Sequence, residues 1–163
     1  MFIIQFWDTN SIPPYISTLI ESFKEQNVWA NHTLFDKGSA RRFIAANFSN
    51  REARAFRSCA VAAMQADYFR YCGVFSLGGI YADADTLCVG NIGNFFNEKF
   101  NDGALFRMPN GNIMNAFFLF RSTESPFLKI ALEICTANIE QSYCRGRMAY
   151  YRARHLQLYV ITL

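Results

Sequence analysis

Short apolar runs alternate along this chain with stretches whose apolar residues recur every three or four positions. Residues 2–7, FIIQFW, form a run of β-branched and aromatic residues that suits a buried strand. Asp8 to Ser11 supply turn chemistry, and Pro13 and Pro14 suit a first helical turn, where a missing N–H costs nothing. Apolar residues at 16, 19, 20 and 23 share one helical face, so a helix is predicted to Gln26. His32–Phe35 reads as a second strand and 36–47 as helical or turn-rich. Residues 51–76 form the longest helical stretch, as one helix or two, without Gly or Pro until Gly73 and stopped by Gly78-Gly79. Ile80 to Ala82 begins a third strand, and further strands are predicted at Ala104–Arg107, Ala116–Phe120 and Leu156–Ile161. A loop is expected over 90–103, a turn at Pro109–Asn112 and a helix from Pro126 to about Ile139.

Alternating strands and helices predict an α/β layer architecture with a mostly parallel sheet flanked by helices. Such sheets place ligands at the carboxyl ends of their strands. With no repeat, low-complexity tract or linker, residues 1–163 read as a single domain.

Composition narrows this picture. Hydrophobic residues make up 52% of the 163 positions and charged residues 18%, which excludes a disordered chain. Seventeen phenylalanines imply a large core, a sticky surface, or both. A net charge of +3 is too mild to argue for nucleic acid. Arg145, Arg147, Arg152, Arg154 and His155 crowd near the C-terminus. They read as a solvated helix face or, more sharply, as a peripheral contact for an anionic membrane or a phosphate-bearing substrate. The five cysteines show no C-x-x-C spacing, so zinc-finger and redox-motif readings lack support and buried thiols in a reducing compartment are expected. No run approaches the roughly 18 apolar residues of a membrane span. The expected location is cytoplasmic.

The chemistry concentrates in ADYFRYCGVFSLGGIYADAD, residues 66–85. Asp67 and Arg70 stand three apart on a helix and share a face. Gly78-Gly79 turns the chain, and a short strand delivers Asp83 and Asp85 at its carboxyl end. In a regular strand both carboxylates would point to one face and repel unless a cation lay beside them. Hard oxygen ligands suit Mg²⁺, Mn²⁺ or Ca²⁺, and a site with one or two carboxylates commonly completes its shell with waters and substrate phosphates. A diphosphate is therefore the natural partner, since no Lys-bearing phosphate loop is present. A phosphatase D-x-D-x-T motif fails by one register, because Thr86 directly follows Asp85.

This segment resembles the glycosyltransferases with a sugar-binding region containing a DXD motif, often called family 32. Initiating mannosyltransferases and bacterial capsule and lipopolysaccharide transferases belong there. Their pattern, roughly A-x-S-D-x-x-R-Y-x-x-L-x-x-x-G-G-x-Y-x-D-x-D, is kept at Asp67, Arg70, Tyr71, Gly78, Gly79, Tyr81, Asp83 and Asp85, while the Ser is Ala66 here. FIIQFW matches the family's opening strand, with Gln5 and Trp7 in register. NGNIMNAFFLFRS matches a later segment, with Asn115 in the Asn position.

The resemblance implies a GT-A-type fold and retaining transfer of a sugar from a UDP- or GDP-sugar to a glycan or lipid-linked acceptor. It implies that Trp7 stacks on the base, that Asp67, Arg70, Tyr81 and Asp83 bind ribose or sugar, and that Asn115 lies near the transferred sugar. Asp85, with Asp83, would hold Mn²⁺ or Mg²⁺. The family's later T-G-P-like segment and C-terminal metal-closing residue are not matched before Leu163, so a C-terminally incomplete domain is expected. The alternative function is a catalytically impaired homologue that binds a nucleotide-sugar or a partner without turnover.

Overall fold

The computed structural model describes residues 1–93 and 102–144. Chain order is β1 (Phe2–Phe6), α1 (Pro14–Gln26), β2 (Asn31–Phe35), α2 (Lys37–Asn47), α3 (Asn50–Ser58), α4 (Ala62–Leu77), β3 (Gly79–Ala82), β4 (Gly103–Arg107), β5 (Ile113–Phe120) and α5 (Pro126–Cys144). The strand expected at 156–161 and the basic cluster from Arg145 to His155 lie outside the described residues.

The strands form one sheet in the order β2-β1-β3-β5-β4. β1 pairs in parallel with β2 and β3, and β5 pairs antiparallel with β3 and β4. Four strands therefore run one way and β5 the other, an α/β architecture with a mostly parallel sheet, as expected. Side chains alternate along β1 and sort the two faces. Ile4 and Phe6 join the larger core under α2–α5, with Tyr68, Phe69, Tyr81 and Phe118. Ile3 packs with Phe23 of α1, Ile80 and Leu119 on the opposite face.

Local chemistry accounts for the elements. Pro14 opens α1. Asp36 with Ser39 and Ser49 with Glu52 form capping boxes at the starts of α2 and α3. The stretch 51–76 divides at Cys59–Val61, although no Gly or Pro stands there. Gln65 Nε2 donates to the Cys59 carbonyl at 3.0 Å, and the break lets Phe56 and Tyr68 meet at 6.5 Å between ring centroids. The β4–β5 hairpin closes through Met108 N to Asn112 O at 2.7 Å, with Gly111 at φ +87°. That closure starts β5 at Ile113, three residues earlier than expected. α5 likewise runs beyond Ile139 to Cys144.

Cys59, Cys72, Cys88 and Cys135 are unpaired and buried. Burial pushes the thiols of Cys59 and Cys135 up to about 12, so they serve as small hydrophobes, as expected. Among the described residues no helix is long and apolar enough to cross a membrane.

Candidate active site

The order of connections places a crevice at one edge of the sheet. From β1 the chain moves outward to β2, then returns to pair β3 on the other side of β1. The carboxyl ends of β1 and β3 therefore flank the point where strand order reverses, the usual ligand position in such sheets. Trp7 and Asp8 follow β1, and Asp83 and Asp85 follow β3.

Helix α4 returns over this edge by simple geometry. The helix rises about 1.5 Å per residue and the strand about 3.3 Å. Going back ten residues from Leu77 to Asp67 thus covers about the same distance as going forward four from Gly79 to Asp83. The reversal needs glycine at both turn positions. Gly78 has φ +65° and Gly79 φ +100°. A Cβ on Gly78 would lie 2.8 Å from the Arg121 carbonyl, and one on Gly79 would collide with the Phe2 carbonyl.

The two aspartates do not lie in a strand. β3 ends at Ala82, and Asp83 N donates to Ala116 O at 2.8 Å as the last tie to β5. Thr86 N then donates to Asp83 O at 3.1 Å, closing a turn that carries Asp85. The strand rule that puts both carboxylates on one face therefore does not apply. Instead Asp83 is half-buried and held by protein groups, while Asp85 is exposed.

Arg70 joins the other members. Its residue is 3% exposed. Nε donates to Ala66 O at 3.3 Å, Nη1 to Asn115 O at 2.6 Å, and Nη2 lies 2.8 Å from Asp67 Oδ1 and 3.1 Å from Asp83 Oδ1. The guanidinium carbon sits 4.9 Å from the Tyr81 ring centroid, and the Tyr81 hydroxyl donates to Asp83 Oδ1 at 2.9 Å. Asn115 Nδ2 donates to Asp67 Oδ1 at 3.3 Å. Burial raises the pKa of Asp67 and of Asp83, and the Arg70 charge opposes this in both. Sequence reasoning expected Arg70 to touch substrate. The guanidinium lines the groove and, with four protein oxygens around it, holds both carboxylates in place.

Trp7, Asp67, Arg70, Asp83, Asp85 and Asn115 all line one open groove of about 820 Å³. Tyr81, fully buried beneath them, supports Asp83. Trp7 packs against the Ile16, Ile20 and Ala84 cluster, and its Nε1 is buried without a hydrogen-bond partner among the described residues. Sequence reasoning missed Asp8, Ala62 and Ala63 in the groove wall. The signal was present: Ala62, Ala63 and Ala66 are small residues on the turns of α4 before Asp67, and they leave the space that the groove occupies.

The donor set fits a small hard cation. Asp85 is exposed on the groove, and only Oδ1 of Asp83 is used by Arg70 and Tyr81. Among the described residues no group of three or more His, Cys, Asp or Glu could hold a metal ion. Two carboxylates suit a divalent cation bound largely through waters and phosphates, rather than a cage built from protein.

Comparison with known proteins agrees with this geometry. A sequence comparison with curated proteins finds no match. Among solved structures the fold is similar to that of the "PaToxG Glycosyltransferase", with a TM-score of 0.64 at 14% identity. That alignment covers 89% of this chain and 60% of the other, so the chain spans 60% of that structure's length. At this identity the likeness shows the GT-A-like fold. The family model described as "Glycosyltransferase sugar-binding region containing DXD motif" matches residues 13–102, which include Asp67, Arg70, Tyr81, Asp83 and Asp85 but not Trp7 or Asn115. With more than half of its length matched and the DXD turn standing at the switch point of an α/β sheet, this chain belongs to the glycosyltransferase family with a sugar-binding region containing a DXD motif.

Proposed function

We propose that this chain is a metal-dependent glycosyltransferase that moves a sugar, with retention, from a UDP- or GDP-sugar to a glycan or lipid-linked acceptor. The observation that carries this reading is the pairing of an exposed Asp85 with a protein-held Asp83 in the same groove as Trp7, Asp67 and Asn115.

Each residue has a stated role. Trp7 offers an aromatic face for the base, a contact of about 1–3 kcal/mol where bases stack on aromatic side chains. Asp67 and Asn115, bonded to each other, present oxygen and nitrogen to sugar or ribose hydroxyls. Asp85 would hold Mn²⁺ or Mg²⁺, with Asp83 beside it. The bound cation would neutralise the diphosphate and ease its departure. Arg70 and Tyr81 fix the carboxylates before substrate arrives, so that little reorganisation is needed during transfer.

Calorimetric titration of UDP and GDP, with and without Mn²⁺, tests the donor half of this reading. One nucleotide is expected to bind in a Mn²⁺-dependent manner, and the matching sugar-nucleotide is then expected to be hydrolysed or transferred. Asp85→Ala should abolish the Mn²⁺-dependent part. Because Asp85 is exposed, stability should change by less than about 0.5 kcal/mol. A folded wild type that binds neither nucleotide under either condition overturns the proposal. Mn²⁺-dependent binding without any turnover would instead favour a homologue that binds without transfer.

A further inference from the structure

Gln5 is a polar residue inside an apolar strand that lies between β2 and β3, and it is 0% exposed. A primary amide in such a place needs partners on both ends, or its burial is costly. It has them. Nε2 donates to Asp83 O at 3.3 Å, and Oε1 lies 2.7 Å from His32 Nε2. The Asp83 carbonyl can only accept, so the NH₂ end of Gln5 must face it. The oxygen end must then face His32, which must donate from Nε2.

His32 can do so. Gln5 pairs with Leu34 across β1 and β2, so His32 is its diagonal neighbour on the same face. Burial lowers the pKa of His32 to about 4, with Lys24 adding to the shift and Glu21 opposing it. The ring is therefore neutral at pH 7, and donation from Nε2 leaves Nδ1 without a proton. The relay runs from β2, through the neighbouring β1, to the first residue of the DXD turn.

We propose that Gln5 is a positioning residue for the DXD turn, with His32 setting the direction of its amide. The Asp83 carbonyl also accepts from Thr86 N, the bond that closes the turn carrying Asp85. Gln5 thus anchors the closing carbonyl from inside the sheet, independently of the Arg70 and Tyr81 contacts to the Asp83 side chain. Only the consequence for metal and nucleotide rests on the proposed transferase reading.

Wild-type protein tests the relay without substitution. Nuclear magnetic resonance should find His32 in the Nε2–H tautomer and the Gln5 side-chain amide protons protected from exchange. An Nδ1–H tautomer with a rapidly exchanging Gln5 amide would overturn the proposal. Gln5→Met removes both bonds, and Gln5→Glu keeps the length and an oxygen toward His32 but has no N–H for Asp83. Both variants should speed exchange of the Thr86 amide by about tenfold, the scale of one lost hydrogen bond. The β1 and α1 amides should keep their rates. Unchanged Thr86 exchange in a folded Gln5→Met protein counts against the role. In the titration above, both variants should weaken Mn²⁺-dependent nucleotide binding while sparing any metal-independent part. Should wild type bind no nucleotide, the transferase proposal fails, and the tautomer and exchange data still decide the role of Gln5.

Discussion

At the scale of single residues, Arg70 carries the heaviest electrostatic load in the groove. It stands between two carboxylates whose burial alone would keep them protonated longer. Removing one partner of a buried charge cluster leaves the others uncompensated, which typically costs about 3–5 kcal/mol. Arg70→Met should lose stability on that scale in chemical denaturation, and nucleotide binding with it. Arg70→Lys keeps one positive charge but not the planar fork that reaches Asp67, Asp83 and Asn115 at once. That variant is expected to recover part of the stability and little of the binding. A Met variant within about 1 kcal/mol of wild type would show that the cluster is not held as described.

At the scale of elements, the decisive joint is the turn between α4 and β3. It brings Asp67 above Asp83, and it does so through a backbone conformation that side chains rarely adopt. Gly79→Ala combines a positive φ with a collision against main chain, which cannot rotate away as a side chain can. The expected loss exceeds about 3 kcal/mol, since strain of this kind alone costs about 1–3 kcal/mol. Gly90→Ala is the matching control, because an added Cβ there meets nothing within 4 Å. Its effect on stability should stay within about 0.5 kcal/mol. Equal stability of the two variants would place the α4–β3 joint elsewhere.

At the scale of the whole molecule, the buried relay from His32 links acidity to folding. The His32 pKa is about 4 in the fold and near 6.5 in the unfolded chain. Between those values the unfolded state binds more protons, so this residue contributes stability that is full above pH 6.5 and falls as pH drops toward 4. Asp67 and Asp83 have raised pKa values and act with the opposite sign in the lower part of this range, where the fold holds the extra protons. The His32 contribution is therefore read as a difference. The melting temperature of His32→Gln, which retains a donor for Gln5, should fall less steeply between pH 6.5 and 4 than that of wild type. Parallel curves would mean that His32 is not held neutral by burial.

The sequence by itself determined the kinds and order of the elements among the described residues, because strand runs, helical faces, Pro14 and Gly78-Gly79 are local signals that packing here reinforces rather than opposes. It also determined that Asp67 and Asp83 meet, since a helix, a two-glycine turn and a short strand of these lengths bring residue 67 over residue 83 by rise alone. Only the tertiary structure decided what the groove residues do to one another. That β3 stops at Ala82 follows from its pairing with β5 and from the turn beyond it, neither visible in D-x-D spacing. That Arg70 is buried follows from Asn115 of β5 and Tyr81 of β3 closing around it. That Gln5 serves the DXD turn follows from strand register, which sets His32 and Asp83 at its two ends although they stand 27 and 78 positions away in sequence. Local propensity acts within a few residues. Hydrogen-bond satisfaction in the core acts across the whole chain, and it is there that the roles of these side chains are set.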